Sequence, residues 1–261
     1  MKNYTVVCRP DPESEAMKKK MTEELNAAGY LENDEKPDTV FVIGGDGTFI
    51  YAVHYVTRKL GIGLNDVKFY GIHTGTLGFY TDFRSDDYRE FIDSFLQGKC
   101  YDVSFPLLQV VFNEQKHHAI NEIRIENPAR TQKIDVYING EKFERFQGTG
   151  MCLCTQLGST AYNRSLGGAV IQEGLDFLEL TEVAGIHHIK SRSLNSPIIL
   201  KGDTIVEFRS ESFRNAVLGC DSDIYPLDDV HSIVVRIALS TRVHTLRAKE
   251  VSYFDRLKSL F

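Results

Sequence analysis

Two hydrophobic periods alternate along the first hundred residues. Tyr4 to Cys8 (YTVVC) and Thr39 to Ile43 (TVFVI) are short β-branched and apolar runs, which predict strands buried on both faces. Val67 to Ile72 predicts a third. Between them, Met17, Met21, Leu25 and Ala28 recur at helical spacing. Asp11-Pro12 offers that helix an N-cap with proline at its first position, Glu13 and Glu15 sit near its positive end, and Gly29 is its stop. Phe49 to Leu60 has the same helical pattern, and Ser85 to Leu96 predicts a capped helix ending at Gly98. Strands alternating with helices imply an α/β N-terminal domain with a parallel sheet.

After Gly98 the period changes. Tyr101 to Phe112, His118 to Ile125, Lys133 to Ile138 and Glu141 to Phe146 are strand-like, and Asn139-Gly140 between the last two is a hairpin signal. Further strands are predicted near Gly150 to Thr155, Thr204 to Phe208, Ala216 to Gly219 and Ile233 to Leu239. The reading is an α/β domain over residues 1–100 and a β-rich domain over 101–244. Residues 245–261 form a tail, with Phe254, Leu257 and Leu260 on one helical side, that packs back on the first domain.

Composition narrows the classes. The 261 residues are 42% hydrophobic and 25% charged, ordinary globular values. A net charge of −6 argues against a dedicated nucleic-acid binder and against a polybasic membrane-surface role. No run approaches the ~20 apolar residues of a membrane span. The opening Met1-Lys2-Asn3-Tyr4-Thr5 has no secretory h-region, and five scattered cysteines do not make a disulfide framework. A cytoplasmic protein is expected, with Cys152 and Cys154 as small hydrophobes in a strand.

The candidate chemistry sits in loops. Gly44-Gly45-Asp46-Gly47-Thr48 follows a predicted strand and precedes a helix, the place where α/β sheets bind ligands. Glycines let the backbone approach a ligand, and helix-start N–H groups suit phosphate. A carboxylate there repels phosphate, so Asp46 needs a reason. It could bind magnesium, accept the proton of an attacking hydroxyl, or simply cap the helix. Neither GxxxxGK[ST] nor GxGxxG is present. Gly71 to Phe79 repeats the glycine-rich arrangement after the next strand, and two such loops build one crevice. His73 within it reads as a hydrogen-bonded structural histidine before a catalytic one. Thr155 to Tyr162 (TQLGSTAY), then Ser165 to Ala169 (SLGGA), combine hydroxyls, small residues and an aromatic. They suit a nucleotide base or, equally, a turn and helix cap. Asn121-Glu122 lies in a strand pattern, one side chain per face, and one of the two can be merely solvated.

The GGDGT loop, the Asn121-Glu122 pair and the GSTAY segment with its trailing SLGGA, in that order, resemble the NAD kinase family over Thr39 to Pro197. GGDGT alone is shared with lipid kinases and phosphofructokinases; the conjunction is more specific. The resemblance implies ATP-dependent phosphorylation of the adenosine-ribose 2′-hydroxyl of NAD, with Mg²⁺ or another divalent cation on the ATP phosphates and a homotetramer or homodimer. It makes Asp46 the general base, with Gly44, Gly45, Gly47 and Thr48 near the triphosphate. Asn121 and Glu122 hold a ribose. Thr160, Ala161, Tyr162 and Ser165 meet base and ribose, with Tyr162 stacking between the two ends of a folded NAD, and Ala184 lines the same pocket. Some family positions differ here. Gly148-Thr149-Gly150 replaces Gly-Asp-Gly, Gln147 replaces a base, Gln156-Leu157 replaces a proline and a hydroxyl, and Ser222 replaces a histidine. These departures predict weakened NAD recognition with the catalytic loop intact. A soluble diacylglycerol- or sphingosine-type lipid kinase and a catalytically weak dinucleotide sensor are the alternatives.

Overall fold

The structure is a computed structural model and describes residues 2–75, 78–186 and 194–260. The chain forms two compact units, Met1–Phe105 with Thr241–Phe261, and Pro106–Ser240. The first unit alternates as its sequence predicts. Its elements are β1 (Asn3–Cys8), α1 (Pro12–Ala27), β2 (Leu31–Glu32), β3 (Thr39–Ile43), α2 (Asp46–Arg58), β4 (Lys68–His73), β5 (Phe83–Arg84), α3 (Tyr88–Leu96) and the start of β6 (Tyr101–Phe112). The sheet runs β2-β1-β3-β4, with β5 also on β4, and all of these pairs are parallel. The Asp11 carboxylate accepts the Ser14 N–H at 3.0 Å, capping α1, a bond of ~1 kcal/mol. Phe41, Tyr70 and Phe91 fill the core beneath this sheet, with Tyr70 and Phe91 stacked at 4.2 Å.

The second unit is a β-sandwich. It contains β7 (Gln115–Ala119), β8 (Glu122–Glu126), β9 (Gln132–Ile138), β10 (Glu141–Gly148), β11 (Gly150–Thr155), α4 (Tyr162–Ser165), β12 (Phe177–Val183), β13 (Ile198–Lys201), β14 (Val206–Arg209), β15 (Val217–Cys220), β16 (Asp223–Pro226) and most of β17 (Ser232–Arg247). One sheet orders β13-β12-β11-β8-β15-β16, and β10-β9-β14-β17 are neighbours in the other. Apolar side chains of both fill the space between, among them Ile123, Ile125, Met151, Leu153 and Leu180 against Ile134, Val136, Phe146, Phe208 and Val235. Asn139 and Gly140, both at positive φ (51° and 85°), turn the β9–β10 hairpin. Two positive values identify the primed turn that matches strand twist. After β17 the chain ends in α5 (Tyr253–Lys258), in the first unit.

Three sequence expectations are corrected. The predicted strand His118 to Ile125 is two strands, broken at Ile120-Asn121, so Asn121 precedes β8 and is not inside it. The Asp221 carboxylate causes the break. It accepts the N–H groups of Ile120 at 2.8 Å, Asn121 at 2.8 Å and Glu122 at 3.2 Å. Helix α2 begins at Asp46, three residues before the predicted Phe49, because its first turn is the glycine loop itself. β12 was not anticipated, since Glu179 and Thr181 interrupt its apolar pattern.

Candidate active site

In the first unit, three parallel strands deliver three segments to one edge. Gly44 follows β3 with φ +151°, and a Cβ there would lie 2.4 Å from Thr48 Oγ1, so only glycine fits. Gly45 is the N-cap of α2 and Asp46 its first residue. The Asp46 carboxylate does not cap its own helix. It turns to the second glycine-rich loop and accepts the Phe79 N–H on both oxygens, at 3.1 and 3.0 Å, and the Tyr80 N–H at 3.4 Å. A Cβ on Gly78 would stand 2.1 Å from Asp46 Oδ1, so this glycine is the space the carboxylate occupies. Thr76 and Leu77 of the same loop lie outside the described residues.

His73, at the end of β4, packs against Gly45 and Gly75, whose Cβ atoms would meet its ring at 3.2 and 3.3 Å. Burial pushes its imidazole below the ordinary histidine value, with the Asp46 charge pulling the other way. The ring is therefore neutral at pH 7. Its Nδ1 is buried without a partner among the described residues. From the third segment, after β1, Ser14 at the start of α1 meets the Thr74 hydroxyl at 3.2 Å.

The loop that receives Asp46 is itself clamped from the C-terminal segment. Arg256 of α5 is 1% exposed and its Nη1 donates to the carbonyls of Gly78 (2.9 Å) and Thr81 (2.5 Å). Its Nη2 pairs with buried Asp82, and Arg247 reaches the same carboxylate at 2.5 Å and the Phe79 carbonyl at 3.1 Å. Nothing in the GGDGT pattern announces Arg247, Arg256 or Asp82. Their signal is only that three charged residues are buried together.

In the second unit, the outer face of β8, β11 and β12 is polar. Alternation in Glu122-Ile123-Arg124-Ile125-Glu126 turns both isoleucines to the core and the charged residues outward, onto a face shared with Cys152, Cys154, Glu179 and Thr181. The TQLGSTAY segment and α4 lie over that face. Gly158 sits against the Asn121 carbonyl, which a Cβ would approach to 2.1 Å. The Thr155 hydroxyl donates to the Ile120 carbonyl at 2.7 Å, and Gln156 Oε1 and the Ser159 hydroxyl accept the N–H groups of Leu175 and Ile171. Tyr162 donates its hydroxyl to Glu126 at 2.7 Å and has the Arg124 guanidinium 4.7 Å over its ring. Asn163 bridges Glu179 and Thr181, at 2.7 and 2.6 Å.

Tyr162 thus reaches the face that carries Glu122, and the segment holding Thr160, Ala161 and Ser165 sets its Gly158 against Asn121. Thr160 and Ser165 spend their hydroxyls on the carbonyls of Leu157 (3.0 Å) and Tyr162 (2.7 Å). Ala184, at φ +46°, lines a small cleft of about 220 Å³ with Leu166 and Thr181. Sequence reasoning missed Arg124, Glu126 and Asp221 as partners, although the strict polar–apolar alternation of β8 marks the first two.

Glu122 is buried (6% exposed), and its Oε2 has no hydrogen-bond partner among the described residues. Burial, reinforced by the Asp221 charge and opposed by Arg124, pushes its carboxyl up to about 7. Between ~4.3, where a free glutamate ionises, and about 7, the folded chain holds a proton that the unfolded chain has released. The stability this site contributes is fully present below that range and is lost as pH rises through about 7. Glu122→Gln should therefore gain stability relative to the parent chain, by ~2–3 kcal/mol, between pH ~5 and pH ~8. Urea denaturation at the two values measures it; a difference independent of pH would contradict the burial argument.

Solved structures place the fold first. A yeast NADH kinase complexed with NADH matches with a TM-score of 0.84 at 18% identity, over 100% of this chain and 87% of its own. An NAD kinase from Archaeoglobus fulgidus in complex with ATP matches at 0.79 and 20%, over 98% and 99%. Both likenesses span the two units, so the fold is shared over the whole of this chain. In sequence, residues 4–100 match the ATP-NAD kinase N-terminal domain and residues 120–246 the ATP-NAD kinase C-terminal domain. The NAD kinase of Levilactobacillus brevis is 37% identical over 91% of this chain and 89% of that protein. NAD kinase 1 of Oceanobacillus iheyensis is 35% identical over 99% and 98%. The chain belongs to the NAD kinase family, enzymes that transfer a phosphoryl group to an alcohol. No finding favours a lipid kinase or a non-catalytic sensor.

Proposed function

We propose that the chain phosphorylates the 2′-hydroxyl of the adenosine ribose of NAD with ATP, Asp46 acting as general base. One observation carries this: Asp46 stands at the carboxyl end of β3 among glycines, its carboxylate oriented by the N–H groups of Phe79 and Tyr80. A carboxylate so held can take the hydroxyl proton as the ribose oxygen bonds to the γ-phosphorus and the bridging oxygen leaves with ADP. Gly44, Gly45, Gly47 and Thr48 sit where the N–H groups and positive end of α2 favour the departing phosphates.

The second unit supplies dinucleotide recognition. Asn121 and Glu122 hold a ribose hydroxyl, for which the unpartnered Glu122 oxygen is a ready acceptor. Thr160, Ala161, Tyr162 and Ser165 meet base and ribose, and Tyr162 offers a ring already braced by Glu126 and Arg124. Ala184 completes the pocket's edge. Among the described residues no cluster of three or more His, Cys, Asp or Glu could hold a metal. Mg²⁺ arrives on the triphosphate in this reading, since the cation keeps its waters and binds through phosphates with few protein ligands. When bound, it neutralises phosphate charge. No helix of the described residues is long and apolar enough to cross a membrane. A cytoplasmic homo-oligomer completes the reading.

ATP and NAD incubated with the protein, followed by an NADP-specific dehydrogenase, should yield NADP. Thr149→Asp, restoring the family's charge, should lower KM for NAD by ~10-fold, the worth of one charge-assisted hydrogen bond. Absence of NADP together with phosphorylation of sphingosine or diacylglycerol would replace this reading by a lipid kinase. An unchanged KM would remove the role given to Thr149.

A further inference from the structure

The second unit carries a groove that the proposed reaction does not use. It opens beside β9 and β14 with a volume of about 580 Å³, within the range of small-molecule sites. Two buried amides line it, Asn127 and Gln132, 4% and 5% exposed. The Asn127 backbone N–H and the Gln132 side-chain Nε2 both donate to the Thr149 carbonyl, at 3.0 and 2.8 Å. Asn127 also sets the groove's rim. Its Oδ1 accepts the N–H of Arg130 at 3.0 Å, and its Nδ2 holds the Arg214 carbonyl at 3.1 Å. Gln132 Oε1, by contrast, is buried and accepts nothing among the described residues. A buried acceptor left open is satisfied by ordered water or by a ligand group that reaches it.

The charges of the groove do not cancel. Arg145 is taken up by Asp135 at 3.3 Å and by Glu211 at 4.0 Å, and Arg209 by Glu207 at 2.7 Å. Arg130, Lys133 and Arg214 have no ion-pair partner among the described residues. Three uncompensated positive charges thus converge on one groove in a chain of net charge −6. Guanidinium forks match phosphate and carboxylate oxygens.

We propose that this groove binds a small organic trianion that also carries a hydroxyl, the chemistry of a hydroxylated phosphoester acid. Its charged oxygens meet Arg130, Lys133 and Arg214, and its hydroxyl donates to Gln132 Oε1. Because Gln132 also holds the Thr149 carbonyl, the ligand sits one hydrogen bond from the Gly148-Thr149-Gly150 strip.

Two probes differ in the relevant group. 3-Phosphoglycerate is a trianion with a hydroxyl, and phosphoenolpyruvate is a trianion without one. In calorimetric titration at low salt, the parent chain should bind 3-phosphoglycerate, and phosphoenolpyruvate ~10-fold more weakly, as expected when a buried acceptor stays unpaired. The Arg130→Gln, Arg214→Gln double variant should bind 3-phosphoglycerate at least ~10-fold more weakly than the parent. Binding at the GGDGT loop would be insensitive to these substitutions, so an unchanged affinity overturns the proposal, as does an absence of binding to the parent chain. Equal affinity for the two probes overturns the assignment of the hydroxyl to Gln132.

Discussion

Asp46→Asn is expected to lower kcat by at least ~10²-fold, within the range for loss of general-base catalysis. The substitution is nearly isosteric, so Gly78 still leaves room for the side chain. What changes is the chemistry of the second oxygen. In the parent chain both oxygens accept the Phe79 N–H. An amide nitrogen would instead face that donor with its own hydrogens, and the amide oxygen has no useful basicity toward a ribose hydroxyl. NAD binding should survive, because the residues assigned to the dinucleotide, Asn121, Glu122 and Tyr162, keep their hydrogen bonds within the second unit. Steady-state kinetics gives kcat, and calorimetric titration with NAD gives the affinity. Near-parental turnover would mean that the proton passes directly to a phosphate oxygen in a loose transition state, and that Asp46 does not act as base.

Much of this was legible in the sequence. The period change near Gly98, the alternation of strand and helix before it and the Asn139-Gly140 turn all act locally, and local signals survive reading without a fold. The glycine loop was legible for the same reason: only a backbone that must come close, or turn where side chains cannot, keeps so many glycines at a strand end. What the sequence concealed is long-range. The break before β8 is made by Asp221, 99 to 101 residues away, through three backbone N–H groups that no residue pattern near Asn121 announces. β12 escaped because Glu179 and Thr181 are buried polar residues satisfied by Asn163, so the strand looked amphipathic where it is enclosed. By sequence alone Asp46 can be a base, a metal ligand or a cap. Only the fold shows its carboxylate committed to the Phe79 and Tyr80 amides, leaving the cap to Gly45.

The same reasoning places the second large effect far along the chain, at Arg256. Replacing it by methionine keeps much of the volume but leaves Asp82 with Arg247 as its remaining charged partner, and strips donors from the carbonyls of Gly78 and Thr81. Breaking a buried ion pair by removing one member typically costs 3–5 kcal/mol. With Arg247 still present, Arg256→Met should lose about 3 kcal/mol, read from urea denaturation. Arg256→Lys, which keeps the charge but not the fork, should lose less. The effect also reaches the chemistry. Gly78 to Tyr80 carry both the space for the Asp46 carboxylate and the N–H groups that aim it, so loosening this segment should lower kcat per folded molecule more than it changes KM for NAD. A purely structural role predicts otherwise: Arg256→Lys would reduce the folded fraction and leave the turnover of folded molecules untouched. The decisive comparison is the Asp46→Asn, Arg256→Lys double variant. If Arg256 works by positioning Asp46, the second substitution has nothing left to misplace, and its kinetic effect should vanish in the Asp46→Asn background. Two effects that simply multiply would show the clamp to be independent of the base.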